Sequence, residues 1–196
     1  MKIKLVYISI LAVGILFSSC KKTDNTPLTG KTFVVNATSE SNWVYFSFDK
    51  NDTVSIASPS TSLSWDLAIR RFNIETNSGV SGKGKGGASN SGKIAQTGFD
   101  QLTLVSDTAT FMVDDSITVA GAQGALETVA ANPLLSNWYD YNFATNVLSS
   151  KNIIYLVKTA SGKYAKVWVV SYYSNTNVSG YVTINYTYQS DGSKNF

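Results

Sequence analysis

The chain has 196 residues, 43% of them apolar and only 15% charged, with 11 Tyr, 9 Phe and 4 Trp and a formal net charge of +3. This is the composition of one folded, aromatic-rich domain, not of a disordered chain. It contains no histidine and a single cysteine, which excludes His-based triads, His/Cys zinc sites, CxxC redox pairs and intramolecular disulfides.

The first expected element is a leader. Lys2 and Lys4 precede an unbroken apolar run from Leu5 to Phe17, followed by Ser18, Ser19 and Cys20. A charged start, an apolar stretch and small residues make a secretory signal, and the run is too short for a membrane span, which needs about 20 residues. Residues 16–20 (LFSSC) resemble a bacterial lipobox, so residues 1–19 are expected to be removed and Cys20 to be acylated. The alternative is an ordinary secretory signal with a free Cys20. Each buried acyl methylene contributes about 0.8 kcal/mol, so two or three chains hold a protein at a membrane. Residues 20–32 are polar, contain Pro27 and Gly30, and read as a tether. The folded domain is expected over residues 33–196. Without Lys2 and Lys4 the chain carries 14 basic and 13 acidic side chains, which gives no case for nucleic-acid binding.

Strand signals dominate the domain. Residues 43–48 (WVYFSF) and 53–56 (TVSI), separated by the turn cluster DKND, predict a hairpin. Leu63 to Ile74 predicts one further strand, and more are expected at residues 102–105, 117–119, 153–157, 164–173 and 181–188. The last alternates, with Val182, Ile184, Tyr186 and Tyr188 on one face. Residues 125–131 (ALETVAA) predict a short helix ending before Pro133, and residues 133–138 another helical turn. The fold class is therefore mainly β: a single antiparallel β domain with one or two short helices.

Seven of the 14 glycines fall within residues 79–98. Gly82–Gly87 satisfies GxGxxG and Gly87–Lys93 satisfies GxxxxGK, but nothing after either favours the helix that phosphate cradles need, and Ile94 stands where a P-loop needs Ser or Thr. A loop whose backbone takes positive φ or approaches a neighbour closely accounts for these glycines better. Arg70, Arg71, Lys83, Lys85 and Lys93 lie close in sequence; if they meet in space they suit a carboxylate or phosphate, and otherwise they are solvated. Among the acids, Asp66, Asp114, Asp115, Glu127 and Asp140 stand out, but no spacing marks a catalytic pair; Asp114 and Asp115 before Ser116 read as a turn, and since adjacent strand residues point to opposite faces they are poor partners for a shared proton. Catalysis is not expected.

Several blocks carry a resemblance in order and spacing: residues 43–48, residues 65–72 (WDLAIRRF), residues 77–79 (NSG) and residues 81–88 (SGKGKGGA). With residues 162–167 and the terminal strand they resemble the HmuY family of haem-binding lipoproteins of Bacteroidetes over most of the domain. The resemblance implies a mostly β fold, attachment to or release from the outer membrane, and haem capture for iron acquisition through a TonB-dependent receptor.

Haem carriers of that family hold the iron between two axial side chains, His in some and Met in others. This sequence departs there. It has no His, and its only internal Met, Met112, lies outside both ligand regions. By the resemblance, Phe143 occupies one ligand position, and the other region, residues 121–128, offers only Gln123 and Glu127 as donors. Phenylalanine cannot donate to iron. Three readings follow: haem or a metal-free porphyrin held by packing on Trp138, Tyr139, Tyr141 and Phe143, with Tyr139 or Tyr141 as a single oxygen ligand; another ligand, such as a glycan or a flat apolar molecule; or a surface module for a protein partner. For each aromatic, plain packing is the alternative role.

Overall fold

Aromatic and β-branched residues at alternating positions make this chain almost entirely strand in the computed structural model, which describes residues 29–120 and 125–196. The strands are β1 (Lys31–Asn36), β2 (Val44–Ser47), β3 (Asp52–Val54), β4 (Leu67–Arg70), β5 (Asn73–Thr76), β6 (Gly87–Ile94), β7 (Asp115–Ala120), β8 (Leu126–Ala131), β9 (Tyr139–Asn142), β10 (Val147–Ser150), β11 (Ile153–Lys158), β12 (Tyr164–Tyr173) and β13 (Ser179–Gln189). A single helical turn, α1 (Ala95–Gly98), and a 3-10 turn, Leu135–Asn137, complete the described elements.

Five strands form one sheet in the order β1-β13-β12-β11-β6, four form another in the order β3-β2-β4-β5, and β7-β8 and β9-β10 are separate hairpins. Every pairing among the described residues is antiparallel. Alternation along β12 divides the interior. Val167 and Val169 join the main cluster, which binds Phe46, Leu67, Ile69 and Ile74 of the four-stranded sheet to Val182, Ile184 and Tyr186 of β13. Trp168 and Tyr164 point the other way, into a smaller cluster of Ala95, Leu102, Val105, Ile154, Leu156 and Phe196. Phe33 of β1 stacks on Phe46 with ring centroids 3.9 Å apart and closes the main core at its edge.

The β2-β3 hairpin forms as expected, and strands occupy four further expected places, residues 117–119, 153–157, 164–173 and 181–188. Four expectations are corrected. Leu63 to Ile74 is not one strand but the β4-β5 hairpin: Arg70 pairs with Asn73, and Arg71 adopts φ +54° at the first position of the two-residue loop. Residues 125–131 are strand, not helix, because β8 pairs with β7 from Asp115↔Ala131 to Ala120↔Leu126. Pairing with a partner strand outweighs the modest helix propensity of Ala, Leu and Glu. Residues 102–105 contribute only an isolated bridge, Leu104↔Asn195, while Leu102 and Val105 are buried. The glycine-rich stretch, residues 79–98, is not all loop, since Gly87–Ile94 form strand β6.

β1 begins at Lys31, inside the stretch read as tether. The leader, the Cys20 acylation site and Gln123 lie outside the described residues.

Candidate functional site

Of the two ligand regions implied by the resemblance, Phe143 lies on the β9-β10 hairpin, and the described part of residues 121–128 lies at the start of β8 in the β7-β8 hairpin. β7-β8 is held at its base by a buried polar network. Asp114, 2% exposed, accepts the Thr76 N–H at 2.8 Å, the Thr76 hydroxyl at 2.6 Å and the Asn132 amide at 3.1 Å. Asn132 also donates to the Met112 carbonyl at 2.8 Å, and its Oδ1 accepts from the N–H groups of Leu134 and Leu135 at the 3-10 turn. The Asp114 carboxylate thus ties one end of the hairpin to β5, and the other end is held by the Asn132 side chain on Asp114 and by the Asn132 backbone N–H on the Ile74 carbonyl at 3.0 Å. Toward its turn the hairpin exposes Leu126 (77%), with Glu127 and Thr128 also exposed.

β9-β10 grows from an aromatic base. Trp138 is 1% exposed and donates its indole N–H to the Phe72 carbonyl at 2.9 Å. Tyr139 is half-buried, with its ring centroid 5.2 Å from that of Trp138 and 5.4 Å from that of Phe72. The Tyr173 hydroxyl accepts the Leu148 N–H at 3.0 Å and ties the hairpin to β12. At the tip, Asn142 Oδ1 accepts from the N–H groups of Ala144 and Thr145, and Asn146 turns the chain with φ +56°. Tyr141 and Phe143 stand out there, edge to face with centroids 4.9 Å apart; Phe143 is 86% exposed and Tyr141 38%. The Tyr141 hydroxyl donates to Asn146 Oδ1 at 2.7 Å.

The four expected aromatics therefore divide into two pairs. Trp138 and Tyr139 carry the packing role that builds the hairpin, and Tyr141 and Phe143 form the exposed pair it presents. Burial raises the Tyr139 phenol above its ordinary pKa, which works against phenolate ligation by that residue. Tyr141 and Phe143 thus present an exposed aromatic surface, and Tyr141 and Glu127 carry oxygens on separate hairpins; with no His in the chain and Met112 on neither hairpin, a His/Met axial pair is not available here.

The basic residues do not converge. Arg70 lies over the Trp43 ring at 4.9 Å, Arg71 donates to the Thr38 carbonyl at 3.2 Å and lies over Tyr172, Lys85 packs against Gly162, and Lys93 packs against Gly98. Among the acids, Asp66 accepts from the N–H groups of Phe48 and Ala160 at 2.9 and 3.0 Å, while Asp115, Glu127 and Asp140 are exposed. The acidic pair that sequence reasoning missed is Glu75 and Asp114. Burial first, and then the Asp114 charge, push Glu75 up to about 8. Thirty-eight positions of chain separate Asp114 from Thr76, the neighbour of Glu75, and no spacing signal marks such a pair.

The family model described as HmuY protein matches residues 39–186. Among solved structures, the apo HmuY analogue of Tannerella forsythia superposes with a TM-score of 0.64 at 21% identity, covering 85% of this chain and 98% of that one. A Bacteroides vulgatus protein provisionally described as HmuY-like and heme-binding gives 0.60 at 23% identity over 81% and 91% of the two chains. A Bacteroides fragilis protein provisionally described as a lipoprotein gives 0.62 at 20% identity over 81% and 90%. No curated protein sequence matches. At these identities the structural likeness establishes a shared fold, and the family match spans most of the domain: the chain belongs to the HmuY family.

Proposed function

We propose that the protein is a lipid-anchored capture protein for haem or a related porphyrin, serving haem acquisition and not catalysis. Acylated Cys20 holds it at the outer membrane, and a TonB-dependent receptor takes the ligand onward. The observation that carries this reading is the exposed Tyr141–Phe143 pair on a hairpin with a packed aromatic base. Edge-to-face rings on a protruding hairpin offer a porphyrin a surface to stack on, and with Phe143 in a ligand position the grip comes from packing. Haem, when bound, supplies the iron to be carried; the chain's own residues supply the apolar contact and one phenol oxygen.

The test is a titration of protein lacking residues 1–20 with haemin and with iron-free protoporphyrin, following the Soret band and Tyr/Trp quenching. Saturable haemin binding with a shifted Soret band indicates an oxygen-ligated haem, and equal binding of both compounds indicates a pocket indifferent to the metal.

A second reading has one observation in its favour: at 86% exposure Phe143 is a surface knob, suited to contact with a protein or glycan at the cell surface. Binding of neither porphyrin selects that reading.

A further inference from the structure

β6 is the outer strand of the five-stranded sheet. Toward β11 it pairs Gly87 with Lys158, Ala88 with Val157, Ser89 with Leu156 and Asn90 with Tyr155. On its outer side Ala88 exchanges two backbone hydrogen bonds with Met112: the Ala88 N–H donates at 2.9 Å and its carbonyl accepts at 2.8 Å. Successive residues of an antiparallel strand turn their N–H and C=O groups to opposite neighbours. Asn90, two residues beyond Ala88, therefore directs its N–H and C=O to the same outer side. Thr110 would be the partner there, two residues before Met112, but the chain has left the ladder and the Ala88–Met112 bridge stands alone.

The separation opens a groove of about 480 Å³ between β6 and residues 102–110, lined by Ser89, Asn90, Lys93, Leu104, Thr110 and Leu156 among others. It belongs with the smaller core cluster, on the sheet face opposite the aromatics of the β9-β10 base. The volume lies within the range of small-ligand sites, roughly 300–1,000 Å³. No aromatic lines the groove, so a sugar face has nothing to stack on. Lys93 is its only ionisable lining residue and joins none of the ion pairs found among the described residues.

Beyond Asn90 the strand is shaped against further pairing. Gly92 takes φ +71° and donates its N–H to Asn90 Oδ1 at 2.8 Å, and the Lys93 N–H donates to Ser91 Oγ. An edge broken in this way admits one residue pair and not a whole second chain.

We propose that this groove binds a short extended peptide that pairs with the Asn90 backbone and sets a carboxylate, from an acidic side chain or a C-terminus, against Lys93. The mode is strand addition limited to a gap in the ladder, and the site is separate from the hairpins assigned to porphyrin.

The test records 15N–1H correlation spectra of the protein with three tripeptides: Ac-Val-Thr-Glu-NH2, Ac-Val-Thr-Val with a free C-terminus, and neutral Ac-Val-Thr-Gln-NH2. At least one acidic peptide is expected to shift the Asn90 amide saturably below about 10 mM, with the neutral one about threefold to tenfold weaker. Comparing the two acidic peptides tells a side-chain carboxylate from a terminal one. Lys93→Gln should abolish the preference. Asn90→Pro deletes an outward N–H while leaving the β11 ladder intact, and should abolish binding without altering the haemin titration. Hydrogen exchange at Asn90 in the unaltered protein, fast alone and slowed by peptide, gives a readout that needs no variant. No saturable shift, equal binding of the neutral peptide, or shifts caused by N-acetylneuraminic acid but by no peptide would each overturn the proposal.

Discussion

The Gly84 N–H donates to Asn77 Oδ1 at 3.0 Å, and a Cβ placed on Gly84 would lie 2.5 Å from the Asn77 carbonyl oxygen. Asn77 is fully buried; its side-chain amide donates to the carbonyls of Ser62 and Trp65 at 2.8 and 2.9 Å, and its own carbonyl accepts from Gly86. The glycine-rich segment is thus wrapped around one asparagine, and bare backbone is the only thing that fits there.

Asn77→Ala strands one buried and one partly buried carbonyl together with the Gly84 N–H and should cost about 3 kcal/mol. Gly84→Ala forces backbone displacement against Asn77 and Ala160 and should cost about 2 kcal/mol. Urea unfolding midpoints at constant m measure both. A Gly84→Ala protein as stable as the parent would contradict the close approach.

Glu75 sets an unusual pH dependence. It is 6% exposed, and burial with the neighbouring Asp114 charge raises its pKa from 4.5 to about 8. The native state keeps a proton that the unfolded chain releases above about pH 4.5, so stability falls as pH rises from there to about 8, with a slope of up to ~1.4 kcal/mol per pH unit. Asp66 and Asp114 are also raised by burial and act in the same direction. Glu75→Gln keeps the shape and removes the ionisation; it should stabilise the protein at about pH 8 and change little at about pH 5. Urea titrations at the two pH values decide it.

At Phe143 the substitution of interest adds a donor. The side chain is exposed at a hairpin tip, so Phe143→His or Phe143→Met should change stability by less than about 0.5 kcal/mol. Either should raise haemin affinity and give an iron-ligand absorption signature missing from the parent. An unchanged spectrum and affinity would remove Phe143 from the ligand position.

Lys166 is 4% exposed, yet its ammonium forms no ion pair among the described residues; it donates to the carbonyls of Phe99 at 2.6 Å and Leu102 at 3.0 Å and lies over the Phe99 and Phe196 rings. Lys166→Met preserves the apolar stem and strands both carbonyls, for a loss of about 2 kcal/mol. Thermal unfolding should fall by roughly 4–8 °C, and amide exchange should speed up first in residues 99–105.

How far the sequence alone reveals this molecule depends on how local each signal is. β13 was legible because its alternation is strict and its buried face, Val182, Ile184 and Tyr186, lines the core. β8 was not, because Ala125 to Ala131 has helical propensity and only pairing with β7, the preceding strand of the same hairpin, overrides it. β6 was hidden in a glycine-rich run in which Gly82, Gly84 and Gly86 lie against Asn77. At the site, Phe143 could be placed by resemblance, but the buried role of Trp138 depends on the Phe72 carbonyl, 66 positions away. The Glu75–Asp114 pair is likewise a product of tertiary folding.

β1 also determines how the domain bears load. A pull on the N-terminal side enters the fold at Lys31, the first residue of an edge strand whose six pairs run from Lys31↔Tyr186 to Asn36↔Tyr181. Directed along the strand, that force shears all six pairs at once, with the Phe33–Phe46 stack as a brake; directed across it, the pairs open one by one. A body tethered through this end resists axial tension far better than peeling, so the angle at which a partner tugs decides whether the core stays shut.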